Sequence, residues 1–409
     1  RQVALLADGR TVAMGEVAAA DAAGLAGCLP SLPTGEVTLL VRDAQRQADG
    51  QLGTAPPFRP EPLSYLPATG EEEGLRVSGR VGVLDVMLAN GVFGDPLLEL
   101  HLRHQRRRLL FDLGEGRRLS SRAAHQVSDV FISHAHIDHI GGFLWLLRSR
   151  MGDWPACRVF GPPGLAAHLE GFLRGILWDR IGDNGPVFEV GELHGETLHR
   201  FRLQAGEPGP HALEQRSAAD GVLLQEADFQ VRARLLDHRW CSVLAFAFEP
   251  AAQLNVRRER LNARGLAPGP WLNRLKHHLR RGDTGALIEL PDGHTETAGA
   301  LGGDLVLSQP GRRLVYATDL ADTPENRHVL MELARDAHTL FCEAGFTETD
   351  ADQAARTGHL TARACAEIAE AAQVSQLIPF HFSRRYQDDP APLYAEAQAA
   401  CGRVLVPSG

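Results

Sequence analysis

Three histidines and one aspartate fall within six residues of the chain, at His134, His136, Asp138 and His139. Burying such groups unpaired in a core is costly, so the cluster predicts a polar loop and not core packing. His134 and His136 can converge on one cation, while Asp138 and His139 turn towards a second. Imidazole and carboxylate donors together suit zinc, with manganese and iron as alternatives. An exposed loop with chance histidines is the competing interpretation.

This cluster lies between an apolar run and a helical run, as a loop at a strand end would. From Val81 onward, short apolar or β-branched runs alternate with helical stretches, which predicts an α/β fold class. The predicted strands are residues 109–113, 130–132, 158–160, 314–317 and 376–380, and the predicted helices are residues 143–150, 165–174, 326–337 and 361–373.

The first 79 residues differ in composition and in hydrophobic pattern from the rest. Residues 1–43 contain apolar runs without a clear period, whereas residues 44–79 are rich in Gln, Pro, Gly and Glu, which is typical of a linker or surface loop. We therefore expect an N-terminal extension over residues 1–79, of unknown role, and a main domain over residues 80–409. The sequence does not indicate whether this extension contacts a partner or mediates dimerisation.

Composition excludes several classes of protein. The chain has 409 residues, of which 44% are hydrophobic and 23% charged, so overall disorder is excluded. Its net charge of −9 has the wrong sign for binding nucleic acid through bulk charge, so any such contact needs a local basic patch. The sequence contains no long uncharged apolar run, so no membrane span is predicted. Six dispersed cysteines without a C-x-x-C pair favour a reduced, cytoplasmic protein with free thiols.

Residues 251–283 supply such a basic patch. Eight arginines and lysines stand against only Glu259 and Asp283, and residues 265–271 are rich in glycine and proline. The composition predicts a basic inserted arm, and an equally weighted alternative is a solvated amphipathic helix and turn. The cations are Arg257, Arg258, Arg260, Arg264, Arg274, Lys276, Arg280 and Arg281.

The histidine cluster resembles the signature of the metallo-β-lactamase superfamily. This resemblance implies an αββα sandwich, here with an N-terminal extension and an inserted arm, and a metal site at one sheet edge. Further ligands should follow later strands, and His238, Asp319 and His381 each follow an apolar run. The implied assignment gives one metal to His134, His136 and His238, the other to Asp138, His139 and His381, and makes Asp319 the bridge.

Secondary motifs resemble ribonuclease Z, the tRNA 3′-processing endonuclease family. They are residues 112–116, the strand-to-helix turn at 160–165, a basic arm containing Gly269 and Pro270, and the final ligand motif at 380–386. The resemblance implies a dinuclear phosphodiesterase in which a metal-bridging hydroxide attacks phosphorus in precursor tRNA. It also implies a possible homodimer. The implied substrate-binding residues are Ser383, Arg385, Gly269, Pro270, Arg257 and Arg258.

The same resemblance implies which residues are catalytic. Glu343 and His359 match positions where a glutamate orients a histidine, and that histidine would protonate the leaving ribose oxygen. Asp138 completes the implied catalytic set. Without the resemblance, Glu343 would be interpreted as a surface carboxylate and His359 as a loop histidine beside the helix cap Thr361.

The chain departs from the ribonuclease Z pattern in the parts that contact tRNA. Residues 89–96 carry no basic side chain where the family has a lysine and an arginine, and Asp319 follows Thr318 where the family has glycine. Cys342 and Leu360 replace a histidine and a serine. Two alternatives therefore stay open: a related hydrolase of a small molecule (a cyclic nucleotide, another phosphodiester or a lactone), and a binding protein that has lost catalysis.

Overall fold

The computed structural model describes residues 2–7, 10–16, 37–42, 64–66, 76–103, 105–181 and 184–406. The chain divides into two compact units, Arg1–Pro60 and Glu61–Gly409. In the first unit, β1 (Gln2–Ala7) pairs antiparallel with both β2 (Arg10–Glu16) and β3 (Val37–Arg42). The apolar runs near residues 3–6 and 37–41 are thus strands.

The second unit is built on two β-sheets. The larger sheet has ten strands in the order β13-β12-β11-β10-β9-β8-β7-β6-β5-β4, of which β8 to β11 run parallel. Its strands are β4 (Ser64–Leu66), β5 (Arg76–Val81), β6 (Leu84–Leu88), β7 (Leu98–Leu102), β8 (Arg107–Phe111), β9 (Val127–Phe131), β10 (Cys157–Gly161), β11 (Val187–His194), β12 (Thr197–Gln204) and β13 (His211–Ser217).

The smaller sheet has six strands in the order β14-β15-β16-β21-β22-β23. Its last three strands run parallel, so their carboxyl ends lie at one edge. The strands are β14 (Val222–Gln225), β15 (Phe229–His238), β16 (Cys241–Pro250), β21 (Leu314–Ala317), β22 (Thr339–Glu343) and β23 (Leu377–Phe380).

Helices cover the outer face of each sheet, while the inner faces pack on each other. Phe131 of the larger sheet and Phe246 of the smaller one pack with ring centroids 5.8 Å apart in a shared core. This is the predicted αββα arrangement. The outer helices are α1 (Ser121–Gln126), α2 (Ile137–Ile140), α3 (Phe143–Ser149), α4 (Leu165–Arg174), α8 (Pro324–Ala334), α9 (Ala351–Thr357), α10 (Ala362–Ala371) and α11 (Ala391–Ala400).

The basic arm is a larger folded insertion than the sequence predicts. Between β16 and β21 the chain forms a small unit whose core includes Trp271, Leu275 and Leu301, and it extends to Gln309 and not only to residue 283. The Gly-Pro-rich stretch ends in a helix and is not all loop. The elements are β17 (Gln253–Val256), α5 (Arg258–Ala263), α6 (Pro270–Arg280), β18 (Leu287–Glu289), β19 (Thr295–Thr297), α7 (Ala298–Leu305) and β20 (Val306–Gln309).

Each of the nine elements predicted from sequence is present, with ends displaced by at most three residues. The linker prediction for residues 44–79 is wrong at Ser64–Leu66 and from Arg76 onward, because both segments pair in the larger sheet. The other residues of that stretch lie outside the described part. The contact division falls at Pro60, earlier than the predicted boundary at residue 79. The domain roles stay predictions.

Two further expectations concern thiols and membranes. Five cysteines, at 157, 241, 342, 365 and 401, are free, which confirms that part of the thiol prediction. Cys28 lies outside the described residues. No helix in the described segments combines the length and apolar character needed to cross a bilayer.

The separate core of the arm predicts that it can be destabilised alone. Trp271 is buried, and its indole N–H donates to the carbonyl of Ala267 at 3.0 Å. Trp271→Ala should cost about 3–5 kcal/mol, as large core truncations do, and should open the arm locally. Limited proteolysis should then cut within residues 253–309 while the main melting transition stays in place. Phe246→Ala, in the shared core, should instead lower that transition, and a Trp271→Ala protein that unfolds throughout would contradict the prediction.

Candidate metal centre

The predicted ligands converge on one edge of the two sheets. His134 and His136 follow β9, His238 ends β15, Asp319 lies two residues beyond β21, and His381 directly follows β23. Asp138 and His139 lie in α2, which begins immediately after His136. Because the parallel strands end at the same edge, residues far apart in sequence come together there.

Three sets of side chains that could hold a metal share Asp319. Two of them comprise the seven predicted ligands, and the third joins Asp319 and His381 to Glu343 and His359. Within each set, one donor atom of every residue lies within 4.8 Å of the others. The Oδ2 atom of Asp319 lies 3.4 Å from His134 Nε2 and 3.1 Å from His139 Nε2, while its Oδ1 lies 3.2 Å from His381 Nδ1. The two sets of predicted ligands are His134, His136, His238 and Asp319, and Asp138, His139, Asp319 and His381.

The donor atoms suit a divalent cation. His139 Nε2 and His381 Nδ1 are buried without a hydrogen-bond partner among the described residues, and both face Asp319. Burial lowers the pKa of His134 to about 2, which keeps its imidazole in the neutral form that binds metals. Although burial alone would raise the pKa of Asp319, the imidazoles of His381 and His139 hold it well below its usual range. A charged carboxylate among imidazoles therefore occupies the centre of the cluster.

A buried carboxylate that the sequence analysis gave no role orients the histidine loop. Asp112, directly after β8, accepts hydrogen bonds from Ser133 N (2.6 Å), Ser133 Oγ (2.9 Å) and Tyr316 OH (2.8 Å). His139 Nδ1 donates to Asp112 Oδ2 at 2.8 Å, which leaves Nε2 to face Asp319. Such contacts around a ligand fix its tautomer and ring orientation.

The other strand ends are fixed by similar contacts. His238 Nδ1 donates to the carbonyl of Gly358 at 2.8 Å, so its Nε2 is the atom that faces Asp319. Asn326 binds the main chain of Asp237 through both ends of its amide, at 2.9 and 2.7 Å, and also donates to the carbonyl of Ala321 at 2.8 Å. This side chain therefore ties the strand end that carries His238 to the loop that carries Asp319.

A hydrogen-bonded pair of acid and base groups lies beside the cluster. His359 Nδ1 donates to Glu343 Oε2 at 2.9 Å, and the other oxygen of Glu343 accepts from Leu320 N at 2.6 Å. Burial alone would lower the pKa of His359, but the Glu343 carboxylate outweighs it and raises that pKa to about 9. His359 also lines an open cleft of about 440 Å³ together with His381 and Asp138.

The structure places the two predicted substrate residues near the cleft differently, and their role stays a prediction. Ser383 lines the cleft. Arg385 does not: it pairs with Asp350 at 2.8 Å and stacks on Phe346 at 5.2 Å, because its side chain folds back onto the preceding loop. Its neighbour Arg384 lines the cleft instead.

The predicted arm residues lie in the inserted unit. Pro270 begins α6, and Gly269 caps that helix in an extended conformation. Arg257 precedes α5 and Arg258 begins it. In the described residues neither arginine forms an ion pair, whereas Arg264 pairs with Glu296.

The network of Asp112 leads to a prediction about metal affinity. Asp112→Asn should weaken metal binding about 10-fold to 100-fold, because the amide cannot accept from all of its present donors. Competition against a chelator of known affinity measures this directly. Tyr316→Phe, which removes one of the same hydrogen bonds, should have a smaller effect, and unchanged affinity in Asp112→Asn would contradict the role.

Comparison with known proteins shows the family of this chain. Residues 102–224 match the metallo-beta-lactamase superfamily, and residues 281–382 match the beta-lactamase superfamily domain. The chain is 31% identical to ribonuclease Z of Brevibacillus brevis, over 73% of this chain and 83% of that protein. It is 32% identical to ribonuclease Z of Haloferax volcanii, over 71% of this chain and 80% of that protein.

A structural alignment covers a similar region. Human tRNase Z, short form, aligns over 72% of this chain and 88% of that chain, with 17% identity and a TM-score of 0.40. The sequence matches establish the relationship. The chain belongs to the ribonuclease Z family, among the metal-dependent hydrolases of the metallo-β-lactamase superfamily.

Proposed function

We propose that the protein is a dinuclear metal-dependent phosphodiesterase that removes the 3′ trailer of precursor tRNA. The observation that carries the proposal is the sharing of Asp319 by two ligand sets beside the His359–Glu343 pair. Relatives named ribonuclease Z support RNA as the substrate class.

The residues around Asp319 fit two cations. His134, His136 and His238 would hold one ion, and Asp138, His139 and His381 the other. Sets rich in imidazole favour zinc, with manganese or iron as alternatives. When bound, a pair of divalent ions lowers the pKa of a shared water and neutralises charge on a phosphoryl oxygen.

His359 would act as the general acid. Its Nδ1 is engaged by Glu343, so Nε2 is the nitrogen that can hand a proton to the leaving 3′ oxygen of ribose. Glu343 keeps the imidazole charged before that transfer, as the raised pKa of His359 indicates. Asp138 would serve as a metal ligand at the floor of the same cleft.

The basic arm would hold the body of the RNA away from the cut. Arg257 and Arg258 offer guanidinium groups that no acid of the described residues neutralises, which suits contacts to phosphates. Such contacts depend strongly on salt concentration.

One specific observation favours a second candidate, hydrolysis of a small phosphodiester. The loop of residues 89–96 presents the acidic Asp95 to the cleft and carries no basic side chain. A carboxylate at this position weakens the attraction between the cleft and a long polyanion such as RNA. A substrate panel separates the two candidates, because a small-molecule hydrolase would turn over cyclic nucleotides or diesters and leave structured RNA intact.

Cleavage of end-labelled precursor tRNA tests the proposal. Protein loaded with zinc or manganese should cut at the start of the 3′ trailer, and His381→Ala, which removes a ligand at the cleft, should abolish the cut. A fully metallated wild-type protein that leaves the RNA intact while hydrolysing small diesters would favour the second candidate.

The proposed acid gives a kinetic prediction. His359→Ala should lower kcat on precursor tRNA by a factor of about 10² to 10⁴, the usual contribution of general acid catalysis. Metal content, measured in parallel, should stay at the wild-type level. Glu343→Gln should lower kcat in the same direction because it removes the charge that keeps His359 protonated. Full turnover in His359→Ala would exclude the role.

The arm gives a prediction about salt dependence. The double charge reversal Arg257→Glu with Arg258→Glu should weaken tRNA binding and lower the salt slope by about two, because two phosphate contacts are lost. Hydrolysis of a small diester should be unaffected. Arg148→Glu with Arg216→Glu, two exposed arginines outside the arm, makes the same change in net charge and should leave binding close to the wild-type value. Equal loss of both activities in the arm variant would refute the role of the arm.

A further inference from the structure

An acidic side chain projects into the substrate cleft without serving the metal centre. Asp95 lies in the loop between β6 and β7 and lines the same cleft as His359 and Arg384. It belongs to none of the three ligand sets that share Asp319. Asp95 therefore has no role in the proposed mechanism.

The backbone around Asp95 is held firmly in place. Asn90 is buried, and its Nδ2 donates to the carbonyls of Asp95 (2.8 Å) and Glu115 (3.0 Å). Gly114 N donates to the carbonyl of Pro96 at 2.9 Å, and a Cβ on Gly114 would come within 2.7 Å of the Asp95 backbone. The packing of two loops thus fixes the backbone that carries the carboxylate.

The carboxylate itself has no partner. In the segments that the structure describes, no group donates a hydrogen bond to the Asp95 side chain and no cation lies within 4.0 Å of it. Burial and the neighbouring Asp138 raise the pKa of Asp95, and Arg384 offsets only part of this effect. The side chain is half-buried at the cleft, so water solvates its free oxygens in the unliganded protein and a donor on a bound ligand can replace that water.

We propose that Asp95 is a specificity-determining residue that accepts a hydrogen bond from a nucleoside next to the scissile phosphate. The inference rests on the proposed phosphodiesterase function. A phosphate cannot be the partner, because two anions repel each other. The remaining donors of a nucleotide are the ribose 2′-hydroxyl and the N–H groups of the base, and the first of these distinguishes RNA from DNA.

The test combines three variants with three kinds of substrate. Asp95→Ala and Asp95→Asn are compared with Asp388→Asn, which removes the same charge from an exposed aspartate outside the cleft. The substrates are intact precursor tRNA, the same RNA with one 2′-deoxy nucleotide on either side of the cut, and the same RNA with one abasic nucleotide there. The measured quantity is kcat/KM.

On intact RNA, both Asp95 variants should lose about tenfold to hundredfold in kcat/KM, the usual effect of a hydrogen bond to a charged acceptor. On the substrate that lacks the relevant donor, Asp95→Asn should equal or exceed the wild type, because only the repulsion between carboxylate and phosphates is removed. If this reversal occurs with the deoxy substrate, the donor is the 2′-hydroxyl, and with the abasic substrate it is the base. Asp388→Asn should behave as wild type throughout.

Two results would overturn the inference while leaving the proposed function intact. One is a wild-type rate for the Asp95 variants on intact RNA, and the other is an equal loss on every substrate, which a distorted loop would produce. A metallated wild-type protein that cleaves none of the RNAs would overturn the proposed function, and this inference with it.

Discussion

The active edge of this protein depends on a single buried carboxylate, Asp319. A charge removed from water is strongly destabilising unless other groups compensate it. The imidazoles of His134, His139 and His381 approach its two oxygens within 3.4 Å and supply that compensation. One ring nitrogen of each of these imidazoles faces the Asp319 carboxylate. The two sheets and their loops bring these side chains together around this one acid.

Strand topology brings the groups to one place, and local backbone geometry aims them. Asp112, Asp319 and His381 each adopt a positive φ, of 54°, 52° and 57°, which residues other than glycine rarely do. Such conformations are unfavourable and persist where surrounding contacts enforce them. At Asp112 its own hydrogen bonds provide those contacts, and beside Asp319 the Asn326 bridge between two strand ends does so. The site is therefore preorganised by its surroundings before any ligand binds.

Local patterns in the sequence, together with the resemblance to the metallo-β-lactamase superfamily, predicted much of the centre, because His134 to His139 are neighbours and each later ligand follows an apolar strand. Contacts between segments that are distant in sequence cannot be predicted from such local patterns. Tyr316 lies 204 residues from Asp112, and Asn326 lies 89 residues from Asp237, so neither role could be predicted from spacing. Arg384 and Arg385 are adjacent and alike in chemistry, and contacts with Asp350 and Phe346 hold Arg385 away from the cleft. The arm was underestimated because its second half is not basic.

In the proposed centre two cations would share Asp319, and anomalous diffraction from crystals of the zinc-loaded protein can locate them. We expect two zinc peaks per chain about 3.5–4 Å apart, as in other two-metal sites, each in contact with the Asp319 carboxylate. The Asp319→Ala protein, which keeps the other six ligands, should bind zinc weakly or at one position only. A single peak in the wild-type crystals, or two peaks of which only one contacts Asp319, would exclude a shared carboxylate.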